Sequence, residues 1–394
     1  MKVLHICTYD SGGAGLCCLR INEALKKAGI ESNVLVLSKK SSCNDVYEYG
    51  YFRLFVWKAV NKLIRLIRLK ITDYNRVIYL SERKKTVLSL PTSIFDITSH
   101  HLVKEADVVH FHWIGNFVDI PSFTKKVNKP VVWTLHDENL FCGIRHYEDS
   151  TMKSELESRY YAVKLNSIKR LRKMGIVFLS KMMYDKFQNH EMIKGRKMII
   201  INNSVDYAKF KPADRKESRK MLGIDENSIV FIFVAASIND ERKGLDLFSK
   251  TLQRMNIPNA VIVAVGNNDE GIQRSNVISV GAKYTTQELC LAYSCGDYFV
   301  MPSKKEAFAQ TPLEAMACGL PVVTFPVSGT EELVNDNNGV ICDDFTSESL
   351  EKGIEIAMSK NYSSGYIRQN IIDNFSPEVM AKKYLKFYDD IMSK

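Results

Sequence analysis

Short apolar runs bounded by turns alternate along this chain with segments of helical spacing. Residues 3–7 form a compact apolar run, 8–15 a glycine-rich turn, and 16–28 a stretch of helical periodicity that Gly29 ends. Further strands are predicted at 34–37, 108–111, 131–135, 176–180 and 198–201. A second series starts after Pro212, with strands at 229–235, 260–265, 277–280, 298–301 and 322–325. Helices are predicted between them near 244–255, 286–295 and 311–318. Short, mainly apolar strands bounded by turns and alternating with helices are the mark of parallel sheets covered on both faces. Two doubly wound α/β domains are therefore expected, with a ligand cleft where the carboxyl ends of the two sheets face each other. Residues 203–215 look like the link. The expected divisions are 1–206, 207–375 and a terminal helix over 376–394, opened by Ser376 and Pro377 and packing back toward the first domain.

Composition narrows the class. The chain has 394 residues, 45% apolar and 25% charged, enough for two cores and unlike a disordered or fibrous sequence. No apolar run reaches the roughly 18 residues of a transmembrane helix. The opening MKVLHICTYDSGG has one Lys and a short apolar run, so it reads as a first strand rather than a signal peptide, and a cytoplasmic protein is expected. Nine cysteines, an odd number without a CxxC pair, fit reduced thiols.

Charge is localised. The net charge is +9, and residues 51–90 hold ten Lys or Arg against Asp73 and Glu82. Within 53–71, Lys58, Lys62, Arg65 and Arg68 fall on one helical face, opposite Val56, Val60, Leu63, Ile64 and Ile67. This fits an interfacial helix on an anionic membrane, with Phe55 and Trp57 near the headgroups. It also fits a core-packed helix with a solvated basic edge. Nucleic acid is a poorer partner, because no recognised binding fold surrounds the basic run.

Candidate chemistry centres on Glu306 and Glu314, which flank a loop-to-helix junction near Thr311 with Pro312 in the first turn. Amides at Phe308, Ala309, Gln310 and Thr311 would then offer a helix N-terminus to a phosphate. The two carboxylates suit sugar hydroxyls better than phosphate, although spacing alone also allows a solvated Glu and an ordinary helix Glu. Gly12 and Gly13 do not open a dinucleotide fingerprint: the pattern from Gly13 meets Gly15 but then Cys18, and the second strand ends in Ser38-Lys39-Lys40 without an acid. They suit close backbone approach to a phosphate or an acceptor. His136 follows a strand at its carboxyl end, with Asp137 beside it to orient the loop. His110 and His112 alternate on one strand and point the same way. They could be a metal pair, but no third ligand is evident, which favours a structural or acceptor-side role.

The E-x7-E pattern of Glu306 and Glu314, followed by AMACGLPVV, resembles the retaining glycosyltransferases of family four, which have the GT-B fold. Gly12-Gly13, TLHDENLF, NSVDYAKFKP, ERKGLDL and LAYSCGDYFVMPS follow that family's order through nearly the whole chain. VHFHW and TLHDENLFCGIRHY are similar to the bacterial cell-surface polysaccharide type, as in capsule or O-antigen synthesis. The resemblance implies that Glu314 binds the donor ribose and Glu306 the donor sugar. It implies that the amides from Phe308 to Thr311 hold the diphosphate, that Lys243 and Arg242 neutralise it, and that His136 lies near the transferred sugar. It further implies a retaining, metal-independent transfer from a nucleotide sugar, needing no cofactor, to a lipid-linked (polyisoprenoid diphosphate) or saccharide acceptor at the inner face of the cytoplasmic membrane. Departures are Ala309 and Ser204, where the family often has Gly, and the absence of the usual Arg before the KG lysine, which Arg242 would replace. A sugar-nucleotide epimerase of the same architecture and a catalytically silent membrane scaffold are the alternatives.

Overall fold

A computed structural model describes residues 1–50, 72–84, 86–148, 154–268, 271, 273–283 and 285–393. The stretch read as an interfacial helix, residues 53–71, lies outside the described residues. The chain divides into two compact units. The first comprises residues 1–179, 184–201 and 381–394, and the second 180–183 and 202–380.

The first unit is built on a seven-stranded sheet: β1 (Lys2–Tyr9), β2 (Glu31–Ser38), β3 (Val46–Glu48), β4 (Val108–Phe111), β5 (Val131–Leu135), β6 (Met174–Phe178) and β7 (Lys197–Ile200). Their spatial order is β3-β2-β1-β4-β5-β6-β7, all parallel. Every residue of β4, β5 and β6 is buried, as expected of strands covered on both faces. Helix α1 (Gly12–Lys27) starts four residues before the predicted 16, so half of the glycine-rich turn, including its three glycines, is helix. The cause is tertiary. A Cβ at Gly15 would lie 2.5 Å from the Tyr9 carbonyl oxygen, so the helix packs Gly15 directly on the end of β1, and that contact outweighs the poor helix propensity of the glycines around it. Helix α2 (Glu155–Ile168) is capped by the Ser154 side chain, which accepts from the Glu157 amide.

The second unit carries six parallel strands: β8 (Ile229–Ser237), β9 (Ala260–Asn267), β10 (Val277–Ser279), β11 (Tyr298–Met301), β12 (Val322–Thr324) and β13 (Gly339–Ile341). Their order is β10-β9-β8-β11-β12-β13. Helix α3 (Leu245–Met255) buries Leu245, Phe248 and Leu252 against Phe231, Phe233 and Ile262 of this sheet. Helix α4 (Gln310–Ala317) follows β11, and the final helix α5 (Pro377–Met392) brings Tyr384 and Tyr388, both fully buried, into the first unit. The two strands missing from the sequence reading, β3 and β13, are three-residue edge strands, too short to show a period. Among the described residues no helix is long and apolar enough to cross a membrane.

Candidate functional site

Each sheet reverses its winding once. In the first unit the chain builds outward from β1 and returns to lay β4 on the other side of it, and in the second β8 and β11 do the same. Loops leaving the carboxyl ends of such a strand pair diverge to opposite sides and leave a crevice, the usual ligand position of open α/β sheets.

At the β8/β11 pair the two loops are charged. After β8, the Asp240 side chain accepts from the Arg242 amide and opens a short helical turn over Glu241–Lys243. Gly244 ends it at φ +81°, with its α-carbon so near Pro302 that a Cβ would fall 2.3 Å from that carbonyl oxygen. The Lys304 amide donates to the Arg242 carbonyl at 2.9 Å, tying the loop after β8 to the loop after β11. Held this way, Lys243 Nζ donates to Glu306 Oε1 at 2.5 Å. Arg242 pairs with Asp240 at 3.1 Å. Helix α4 begins beyond this loop, and its N-cap, Ala309, carries no side-chain cap. Phe308 is buried, and its carbonyl accepts from Asn203 Nδ2 at 3.3 Å. The amides expected at Phe308–Thr311 need one adjustment: the first turn is Gln310, Thr311 and Pro312, and Pro312 has no N–H. Glu314 is only 7% exposed and accepts from the Tyr293 hydroxyl at 3.1 Å.

At the β1/β4 pair the side chains are imidazoles. His5 of β1 is in register with His110 of β4, and both are buried together with His112. His5 Nδ1 lies 2.9 Å from His112 Nε2, and His112 Nδ1 lies 2.9 Å from His136 Nε2. His110 is held separately, Nδ1 by the Tyr388 hydroxyl at 2.7 Å and Nε2 by Thr134 at 2.8 Å, with Thr134 in turn bonded to Tyr384 at 2.9 Å. Burial pushes the pKa of His5 down to about 3 and that of His136 to about 4, and takes His110 and His112 well below the ordinary value. All four rings are neutral at pH 7.

The expectation of no third ligand beside His110 and His112 is corrected: His5 supplies one, and the three offer ligand atoms within 4.8 Å of one another. Register explains the omission, since a strand partner 105 residues away is invisible in local spacing. The nitrogens are nevertheless engaged in hydrogen bonds, both of those on His110 and both of those on His112.

His136 also lines a small pocket with Trp113, Asp137, Asn139 and His146. Asp137 Oδ2 accepts from Trp113 Nε1 at 2.9 Å and faces His146 Nδ1 at 2.5 Å, while His146 Nε2 meets Ser89 Oγ at 2.8 Å. Burial alone would raise the Asp137 carboxyl, but His146 and the Asn139 amide hold it below its usual value. These are the residue types of a hydrolytic triad. Ser89, however, is 2% exposed and does not line the pocket, so it orients His146 and cannot attack a substrate. Helix α2 fixes the loop from behind. Glu157 accepts from the Gly143 and Ile144 amides at 2.5 and 3.0 Å, and the buried Lys164 donates to the carbonyls of Asn139 and Cys142. Burial lowers the Lys164 pKa to about 8. Gly12 and Gly13 lie exposed in the first turn of α1, which has no side-chain cap.

Lys243 and Glu306 are thus brought into contact, Arg242 lies on the adjoining turn, and His136 and Asp137 share a pocket. Sequence reasoning missed His5, Ser89, His146, Glu157 and Lys164. His5 had a usable signal, a polar residue inside an otherwise apolar strand. Glu157 and Lys164 had another, two charges seven apart and so on one face of a helix.

Residues 214–374 match the family described as Glycosyl transferases group 1. Alpha-galactosylglucosyldiacylglycerol synthase of Streptococcus pneumoniae is 23% identical over 74% of this chain and 80% of its own length. N,N'-diacetylbacillosaminyl-diphospho-undecaprenol alpha-1,3-N-acetylgalactosaminyltransferase of Campylobacter jejuni is 26% identical over 57% of this chain and 64% of its own. The structure of Anabaena Alr3699/HepE in complex with UDP aligns at a TM-score of 0.66 and 17% identity, covering 99% of this chain and 100% of that one. The fold is the two-domain, parallel-sheet architecture of GT-B glycosyltransferases.

Proposed function

We propose, for a chain that carries a group 1 glycosyltransferase domain over residues 214–374, that it moves a sugar from a nucleotide-sugar donor to a lipid-linked oligosaccharide in cell-surface polysaccharide synthesis, with retention and without a metal. The observation that carries this reading is the meeting of Lys243 and Glu306 where β8 and β11 diverge, ahead of a helix whose N-cap has no side-chain cap. A nucleoside diphosphate arriving there supplies a stronger anion for Lys243. Taking Lys243 frees Glu306 to accept from sugar hydroxyls. Arg242 and the amides from Phe308 to Thr311 add fixed positive charge for the departing diphosphate. Glu314 serves the ribose. His136, Gly12 and Gly13 serve the transferred sugar and the acceptor. The names of the pneumococcal and Campylobacter relatives carry a diacylglycerol product and a diphospho-undecaprenol acceptor, which supports a lipid-linked acceptor for this chain. The basic stretch 53–71 would hold the enzyme at an anionic inner leaflet.

A nucleotide-sugar screen by thermal shift, followed by calorimetry, tests the donor reading. Glu314→Gln should weaken the free nucleoside diphosphate, and Glu306→Gln should chiefly impair use of the sugar. The assignment fails if both variants weaken the free nucleotide equally. Flotation with anionic liposomes tests the membrane reading. Lys58, Lys62, Arg65 and Arg68 changed together to Glu should abolish binding, and a wild type that does not float overturns it.

A further inference from the structure

The histidine chain has a direction. His5 Nε2 is buried and has no hydrogen-bond partner. An unprotonated ring nitrogen left there loses one acceptor interaction, whereas an N–H left there would be a buried donor with nowhere to go, which proteins rarely tolerate. A neutral imidazole carries one N–H only. His5 therefore holds its hydrogen on Nδ1 and donates to His112 Nε2. His112, accepting at Nε2, holds its hydrogen on Nδ1 and donates to His136 Nε2. His136, accepting at Nε2, must carry its own hydrogen on Nδ1. The opposite polarity would strand a hydrogen on His5 Nε2.

We propose that His5 and His112 are positioning residues that fix His136 in the Nδ1–H tautomer, so that His136 acts at its pocket as a neutral hydrogen-bond donor and not as a base. The pyridine-type nitrogen, the one that could remove a proton, is consumed by His112. What remains on this pocket-lining ring is a single N–H, suited to a hydroxyl or phosphate oxygen of the sugar substrates. Deprotonation of the acceptor hydroxyl then falls to a group other than His136. This inference rests on the glycosyltransferase reading for its substrate, but the tautomer itself does not.

The test begins on the full-length wild type without any substrate. Nitrogen-15 NMR of histidine-labelled protein distinguishes protonated from unprotonated ring nitrogens, and the spectrum of His136→Gln identifies the His136 signals. The expected result is His136 protonated at Nδ1 and unprotonated at Nε2. His112→Phe removes the donor, and His136 should shift toward the Nε2–H form that imidazole favours in water. If that variant does not fold, His112→Asn, whose amide N–H₂ can stand in for Nδ1–H, should keep the wild-type tautomer. Once a donor and acceptor are in hand, His112→Phe should lower kcat about tenfold with donor KM nearly unchanged, the size of one lost hydrogen bond, and His112→Asn should restore most of it. A wild-type His136 protonated at Nε2, or a His112→Phe variant still locked in the Nδ1–H form, overturns the proposal. Absence of transfer from every nucleotide sugar, with the tautomer as expected, sinks the glycosyltransferase reading and leaves the chain of hydrogen bonds standing.

Discussion

The two units wind their sheets the same way and fill the resulting strand pair with opposite chemistry. Between β8 and β11 stands an ion pair on loops, Lys243 and Glu306, with side chains 23% and 12% exposed. Between β1 and β4 stand imidazoles and the phenols that hold them, all buried. Topology alone makes the crevice, and the residue types decide what it can bind. Charges stay near solvent because taking both partners of an ion pair out of water costs several kcal/mol per ion. The imidazoles tolerate burial because each is neutral, and of their ring nitrogens on the β1/β4 pair only His5 Nε2 lacks a partner.

Acid should separate the two regions most sharply. His136 has its pKa lowered to about 4 and His5 to about 3 in the folded chain, against 6.5 when unfolded. Between those values the unfolded state binds more protons, so stability is complete above pH 6.5 and falls as pH drops toward the folded values. His136 alone accounts for about 3 kcal/mol of that loss. The protection factors of the β1 and β4 amides, rates corrected for the intrinsic pH dependence of exchange, should therefore fall between pH 6.5 and 4 while those of β8 and β11 change less. Equal acid lability in both sheets would erase the contrast.

Lys243→Ala probes the charged side. It removes the cation beside Glu306 and should weaken nucleoside-diphosphate binding tenfold to hundredfold, or about 1.5–3 kcal/mol for a charge-assisted contact. Thermal stability should move little, because the pair is partly solvated and such pairs contribute about 0–1 kcal/mol. Wild-type donor affinity in calorimetry would remove Lys243 from the site.

This asymmetry also explains what could be read from the sequence. The strands were legible because parallel strands buried on both faces are written as apolar runs, and β4, β5 and β11 fall on their predicted bounds. Lys243 and Glu306 were legible through the family resemblance, whose motifs place each on a loop just past a strand. The histidine chain was not, because it depends on the lateral order of β1, β4 and β5 and on Tyr384 and Tyr388, which arrive from a helix some 250 residues away or more. Nor did sequence show that Glu157 and Lys164 hold the loop bearing His136, since the bonds run to backbone atoms.

Tyr388→Phe sharpens the neutral side. It deletes the hydroxyl on His110 Nδ1 and leaves a buried ring nitrogen unpaired, at a cost of about 1–2 kcal/mol. Chemical denaturation should show that loss, while donor affinity stays unchanged because the substitution lies in the other unit. A drop in donor affinity as large as that of Lys243→Ala would mean that the two regions are not separable.

Chelation should have the smallest effect of all. On the charged side, the proposed roles of Lys243, Arg242 and the helix amides at the diphosphate would leave a divalent cation little to add. On the neutral side, the one cluster with metal-like composition among the described residues, His5, His110 and His112, has every ring nitrogen but His5 Nε2 committed: His110 to Tyr388 and Thr134, His112 to His5 and His136, and His5 Nδ1 to His112. A metal there would have to break buried hydrogen bonds and take from the Tyr388 and Thr134 hydroxyls their bonds to His110. Turnover, donor affinity and the melting temperature should therefore all survive EDTA, and elemental analysis should find less than one transition metal per chain. Two results would overturn this, and they point to different halves. Activity restored by magnesium or manganese after chelation would place a cation at the diphosphate beside Lys243. A melting temperature restored by zinc alone would place one among the three histidines, and the hydrogen-bonded chain from His5 to His136 would then have to give way to ligation.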